Sequence, residues 1–224
     1  MGISIKWIGW DSFQIKLNST VLYIDPLFGE FNEIADIVLV SHGHRDHCNP
    51  EVLEKIRNKQ TIVLTSKANK EKVQGIGLAP EESYQINDIS ITAYHAYNIK
   101  RKRDSGEPFH PKGFGVGWII TYLNKKIYFL GDTDLIPEMK SITNIDVLLV
   151  PVSGKFVMDI DEAVEAIKLI KPKVTIPMHY GVVDGSYGGN HIQIELNIDT
   201  EEFKSKAEKF TKVKVLQHND EFTL

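Results

Sequence analysis

The chain has almost no cysteine: Cys48 is the single one in 224 residues. No internal disulfide can form, and a reducing cytoplasm is the expected compartment. Long apolar runs are missing too. None approaches the roughly 18 residues that cross a bilayer, so no membrane-spanning helix is expected. The N-terminus lacks a basic segment ahead of a long apolar stretch, and no signal peptide is read there. An excess of one charge is also missing. The formal net charge of -4 argues against a generic nucleic-acid binder and leaves room for a local basic patch. Three fingerprints do not occur: Gly-x-Ser-x-Gly, a phosphate-cradling glycine-rich loop, and a dinucleotide-binding pattern. What remains, 42% hydrophobic and 25% charged, is the composition of an ordinary globular protein. One domain over residues 1–224 is expected.

The chemistry-bearing residues are concentrated. Ser41-His42-Gly43-His44-Arg45-Asp46-His47-Cys48 sets three of the eight histidines beside an aspartate. The run before it, Asp36-Ile37-Val38-Leu39-Val40, reads as a buried strand. After it, Asn49-Pro50-Glu51 reads as a helix start, with Asn as the cap and Pro at the first helical position. The histidines therefore sit on a loop between a strand end and a helix start, where α/β sheets form sites. His42 and His44, two apart on an extended loop, point the same way and suit one metal. Asp46 and His47 are adjacent and diverge, which suits a second centre close by. Cys48 reads as a small packed residue or, alternatively, as a sensor or ligand.

Along the chain, Ile3, Ile5 and Trp7, then Phe13, Ile15 and Leu17, alternate as half-buried strands, and residues 21–26 return as a partner. Asp25-Pro26 is either a strand terminator or a support for the site. Residues 61–65 read as a buried strand, followed by a polar helix capped by Ser66 and running to about Gln74. Ile89, Ile91 and Ala93 alternate into Tyr94-His95-Ala96-Tyr97-Asn98. Residues 100–112 form a charged loop. Strands follow over residues 113–121, 126–130, 145–150 and 174–178. Asp159 or Asp161 caps a helix that Lys171-Pro172 stops. Residues 181–189, rich in glycine, read as a loop. Residues 201–210 form a helix, and 213–216 a last strand.

His42-x-His44-x-Asp46-His47 resembles the signature of the metallo-β-lactamase fold superfamily. Gly131-Asp132-Thr133 and Pro177-Met178-His179-Tyr180-Gly181, each after an apolar strand, agree with it in order and spacing. They look most like the branch of ascorbate-phosphate lactonase-like and related uncharacterised metal-dependent hydrolases. The resemblance implies an α/β fold, a four-layer αββα sandwich of two mixed β-sheets flanked by helices. It also implies that Asp132 bridges two metals, that His179 is the last ligand of the second, and that a His between the first loop and Asp132 completes the first. His95 is favoured for that place, with Asn98 and His110 as alternatives. Related proteins often carry His where Trp10 stands. The implied metal set is His42, His44, His95, Asp46, His47, Asp132 and His179. His191 and His218 read as surface residues or supports.

The expected function is a metal-dependent hydrolase. A hydroxide bridging two divalent ions would attack an ester, lactone or phosphodiester, with Asp46 and Asp132 as catalytic residues. Zinc is the expected metal, and manganese, nickel and iron remain open on ligand type. The run Lys100-Arg101-Lys102-Arg103 starts where the site is. Lys100, Arg101, Arg103 and His110 are therefore candidates to bind a small anionic substrate, against the reading of a solvated loop. A homo-oligomer stays open. The rival reading is a non-catalytic metal-binding or regulatory protein of the same fold. A redox di-iron role would need a flavin partner domain, which the chain lacks.

Overall fold

The computed structural model describes residues 2–224. The first half builds one sheet from β1 (Ile3–Gly9), β2 (Ser12–Leu17), β3 (Thr20–Ile24), β4 (Ile37–Val40), β5 (Ile62–Ser66) and β6 (Ile76–Leu78). The second half builds another from β7 (Ser83–Ile86), β8 (Ile89–Ala96), β9 (Gly115–Tyr122), β10 (Lys125–Phe129), β11 (Val147–Pro151) and β12 (Val174–Met178). A separate hairpin pairs β13 (Gly181–Tyr187) with β14 (Asn190–Leu196). The C-terminal strands β15 (Lys212–Val213) and β16 (Glu221–Thr223) are shared out, β15 to the second sheet and β16 to the first.

The two sheets repeat one plan. Their orders are β16-β1-β2-β3-β4-β5-β6 and β15-β12-β11-β10-β9-β8-β7. In the first, pairing is antiparallel from β16 to β3 and parallel from β3 to β6. In the second it is antiparallel from β7 to β10 and parallel from β10 to β15. Both sheets are mixed, as expected.

Side-chain alternation decides the layers. On β4, Ile37 and Leu39 join the core between the sheets, whereas Val38 and Val40 face the outer layer. That layer is α1 (Pro50–Ile56) and the single-turn α2 (Lys70–Val73), which bury Leu53, Ile56 and Val73 against it. A strand covered on both faces has no polar side, which is why residues 37–40 read as a continuous apolar run. Behind the second sheet lie α3 (Ile160–Ile170) and α4 (Thr200–Ala207). Asp159 and Glu162 form a reciprocal capping box at the start of α3, and Lys171 ends it in a left-handed conformation. The two inner faces meet where Phe13 of β2 packs edge-on against Phe129 of β10, ring centroids 6.4 Å apart. No helix among the described residues is long and apolar enough to cross a membrane.

Three local expectations are corrected. Residues 181–189 are not a loop but most of the β13–β14 hairpin. Its Val183, Tyr187, Ile192, Ile194 and Leu196 pack around Trp10, Leu27 and Phe28. The two-residue alternation was there, masked by the density of glycine. Ser66 caps no helix by its side chain; its hydroxyl donates instead to Phe114 O at 2.8 Å, tying the two sheets together. The strand expected over residues 213–216 is shorter and starts one residue earlier, as Lys212–Val213 at the edge of the second sheet.

The sheet-to-sheet contact has a measurable weight. Phe13 and Phe129 are wholly buried. Phe13→Ala is expected to lower unfolding free energy by about 3–5 kcal/mol, read from urea denaturation. A loss under about 1 kcal/mol would mean the inner faces do not depend on this packing.

Candidate metal centre

The parallel strands deliver the site. Asp25 follows β3, residues 41–47 follow β4, Asp132 follows β10, Ser153 follows β11, and His179 follows β12. All lie at carboxyl ends of strands, where backbone polarity and open space coincide. The loop after β4 closes on Asn49, whose side chain accepts from Glu51 N at 3.0 Å to start α1 at Pro50. Gly43 is required in that loop because a Cβ there would overlap the Asn69 amide oxygen. Gly131 turns the chain into Asp132 at φ +67°, and a Cβ on it would meet Val116 O at 2.9 Å.

Asp25 organises the loop. Its Oδ1 accepts from Ser41 N at 2.7 Å, and its Oδ2 accepts from Ser41 Oγ at 2.6 Å and from His47 Nδ1 at 2.8 Å. Ser41 Oγ, its proton given to Asp25, accepts from His42 Nδ1 at 3.0 Å. The network therefore assigns the proton of both His42 and His47 to Nδ1 and turns each Nε2 lone pair inward. Asp25 is thus a support for the site as well as a strand terminator.

A third histidine is treated the same way from the other sheet. Asn98 Oδ1 accepts from His110 N at 2.9 Å and from His110 Nδ1 at 2.7 Å. The Asn98 amide donates to Asp134 Oδ1 at 3.1 Å and to Phe156 O at 3.0 Å, which fixes its orientation. Asp134, buried, also accepts from the backbone N–H of Ile99, Lys100 and Arg101 and from the Arg101 guanidinium.

His42, His44 and His110 form one group of convergent ring nitrogens. His44 Nδ1 lies 3.0 Å from His42 Nε2 and 3.1 Å from His110 Nε2. With both partners presenting lone pairs, one proton on His44 cannot satisfy the three nitrogens. A divalent cation does, so the donor set fits a metal. Asp11, His47, Asp132 and His179 form the second group, with ligand atoms within 4.8 Å of one another and all four residues buried. Asp132 links the groups: its Oδ2 is 3.1 Å from His110 Nε2, 3.4 Å from His47 Nε2 and 3.2 Å from His179 Nε2. His47 Nε2, Asp132 Oδ1 and both oxygens of Asp11 are buried without a hydrogen-bond partner. Orphaned atoms gathered among ligand-type side chains fit an ion at this place.

The two groups differ electrostatically. Burial holds His42 well below its ordinary pKa and moves His44 down to about 4, with the neighbouring imidazoles adding to the effect. These rings are neutral lone-pair donors. In the second group burial also opposes charge on His47, but Asp132 and Asp46 outweigh it and hold the ring well above its usual value. Burial likewise opposes charge on His179, which Asp132 and Asp11 lift to about 9. Asp132 is held well below the carboxylate range because His179, His47 and His110 overcome its burial.

Of the residues expected at the site, His42, His44, His47, Asp132 and His179 converge. His95 does not: it belongs to neither group, and its Nε2 lies 3.7 Å from Glu81 Oε1. His110 takes the place favoured for it, because the charged loop folds back and its two ends, Asn98 and His110, are joined by backbone and side-chain hydrogen bonds. Asp46 stands outside the buried groups, partly exposed, with Oδ2 3.8 Å from His47 Nε2. The expected basic patch is mostly neutralised. Lys100 Nζ pairs with Glu162 at 2.6 Å, and Arg101 is clamped by Asp134 at 2.9 Å and Glu162 at 2.6 Å. Only Arg103 of the three reaches the cavity of about 310 Å³ that His44, His110 and Asp132 also line. Its walls add Arg45, Phe109 and Phe156, which sequence reasoning passed over. Asp11 was also missed; the one signal was the departure at its neighbour Trp10, buried against the His179 ring at 4.5 Å between centroids. His191 is exposed beside Asp184, and His218 packs edge-on to Trp7.

The family model described as Beta-lactamase superfamily domain matches residues 4–179. The chain belongs to this superfamily. Within it, the chain falls among the UPF0173 metal-dependent hydrolases. It is 34% identical to such a protein of Nanoarchaeum equitans, over 99% of this chain and 100% of the relative. It is 31% identical to another of Methanosarcina barkeri, over 96% of this chain and 95% of the relative. Among solved structures, a metallo hydrolase from Ignicoccus hospitalis superimposes with a TM-score of 0.80, covering 100% of this chain and 99% of that one at 24% identity. The fold and superfamily expected from the His42-to-His47 motif are thereby met.

The exchange of His95 for His110 can be measured. His110→Ala is expected to lower metal affinity by more than the roughly 10–100-fold that losses outside the ligand shell cause, read from metal content after dialysis. His95→Ala should keep the wild-type content. The reverse pattern would return His95 to the site.

Proposed function

We propose that the chain hydrolyses a small anionic ester, lactone or phosphodiester at two divalent cations, with zinc favoured at the three-imidazole position. The observation that carries this reading is the position of Asp132, whose one oxygen stands within 3.4 Å of nitrogens from both ligand groups. When bound, such cations supply Lewis acidity and lower the pKa of a water at the site. His42, His44 and His110 would hold the first cation, and His47, Asp132 and His179 would hold the second. Asp46, which lines the cavity, orients the attacking water and takes its proton on the carboxylate. Arg45 and Arg103 bind the anionic part of the substrate. Phe109 and Phe156, edge-on at 4.9 Å, keep water from one wall of the cavity. Lys100 and Arg101 leave this role, since their charges are taken up by Glu162 and Asp134. The lone thiol, buried at Cys48, fits a reducing cytoplasm.

A panel of phosphodiesters, lactones and carboxylic esters, assayed with and without chelator, tests the activity. Asp132→Asn should lower kcat by about 100-fold or more. Chelator-resistant turnover, or an Asp132→Asn enzyme at wild-type rate, would sink the mechanism.

The substrate charge has its own test. Arg45→Ala with Arg103→Ala should raise KM for an anionic substrate several-fold with kcat nearly unchanged, less so at high salt where screening shortens to about 3 Å. Lys100→Ala should change neither constant. An equal response of an uncharged analogue would assign the arginines to packing.

A further inference from the structure

The tip of the β1–β2 hairpin is unusual. Gly9 pairs with Ser12, so Trp10 and Asp11 form a two-residue turn. Such tips normally face solvent and carry Asn-Gly or Gly. Here both residues are almost wholly buried, and Trp10 holds φ at +56°, which a bulky side chain rarely adopts. The turn is held from inside. Trp10 O accepts from Trp7 Nε1 at 2.9 Å and from His179 N at 3.2 Å. The indole covers the His179 ring, and Asp11 is pressed towards the ligand group.

Asp11 is fully buried, and neither carboxylate oxygen has a hydrogen-bond partner. Its Oδ2 lies 3.8 Å from His179 Nε2 and 3.6 Å from His47 Nδ1. His47 Nδ1 already donates to Asp25 at 2.8 Å, so it does not satisfy Asp11. A buried charge without donors is strongly unfavourable unless a cation compensates it. We propose that Asp11 is a ligand of the second metal position. This rests on the metal-binding reading above and deepens it. The position then offers two carboxylates and two imidazoles. That donor set is richer in oxygen than the three-imidazole position, so its preference moves from zinc towards manganese(II).

The test uses the metal-free full chain and Asp11→Asn, which keeps shape and removes charge. Manganese(II) binding is counted by the loss of the free-ion electron paramagnetic resonance signal, zinc binding by calorimetry, and ligation by the d–d absorption of cobalt-loaded protein. Wild type should bind manganese(II), and Asp11→Asn should bind it at least tenfold more weakly, with a changed cobalt spectrum at saturation. Metal-free Asp11→Asn should melt no lower than metal-free wild type, while its rise in Tm on adding manganese(II) shrinks. Asp11→Ser answers the same questions if the asparagine variant does not fold. Affinity within tenfold of wild type, or an unchanged cobalt spectrum, would overturn the assignment. The two-metal reading is decided separately by the wild-type stoichiometry. If wild type binds a single equivalent, that reading fails, and the Asp11 assignment still stands or falls on whether Asp11→Asn weakens that equivalent.

Discussion

The Asp25 carboxylate does more to define this molecule than any other group. It lies at the end of β3 with φ +43° and carries no exposure to solvent. From there it fixes the backbone of Ser41, the Ser41 hydroxyl and the His47 ring at once. Two imidazole tautomers follow from one carboxylate, one directly and one through the serine. Burial raises the Asp25 pKa, and His47 and Ser41 work against that rise. Without those donors the group would be an uncompensated charge between two sheets.

The second sheet answers with a parallel construction in different chemistry. Asn98, an amide, orients His110 as Asp25 orients His47. The difference suits the two positions. The all-imidazole group needs neutral rings, and an amide acceptor supplies direction without adding charge. The mixed group tolerates a neighbouring carboxylate because its own rings sit among anions. Left-handed backbone at Trp10, Asp25 and His179 gathers in the same small region. Local conformational cost at a site is sustained where packing overdetermines it.

Much of this was legible from residue order alone. The run from His42 to His47 announced metal chemistry because few other demands place so many ligands on one loop. The apolar strands before Asp132 and His179 located those residues at strand ends. What stayed hidden depends on tertiary closure. His95 looks favourable because it lies on a strand, whereas His110 sits in an aperiodic charged loop whose return path depends on tertiary contacts, those of Asn98 and Asp134 among them. Asp11 had no pattern of its own, since a two-residue turn ordinarily signals solvent. The basic run reads by its formal charge, but Glu162 and Asp134 come from distant segments and take up the charges of Lys100 and Arg101.

The five donations that Asp134 collects have a consequence for how the centre assembles. They freeze residues 98–101 through contacts internal to the protein, so the arm carrying His110 is ordered before any ion arrives. The conformational entropy of that arm is charged to folding instead of to ion capture. Affinity at the first position is therefore coupled to a residue that never touches the ion. A loosened Asp134 would surface as slow, partial or easily reversed ion uptake in a chain whose ligands are all intact.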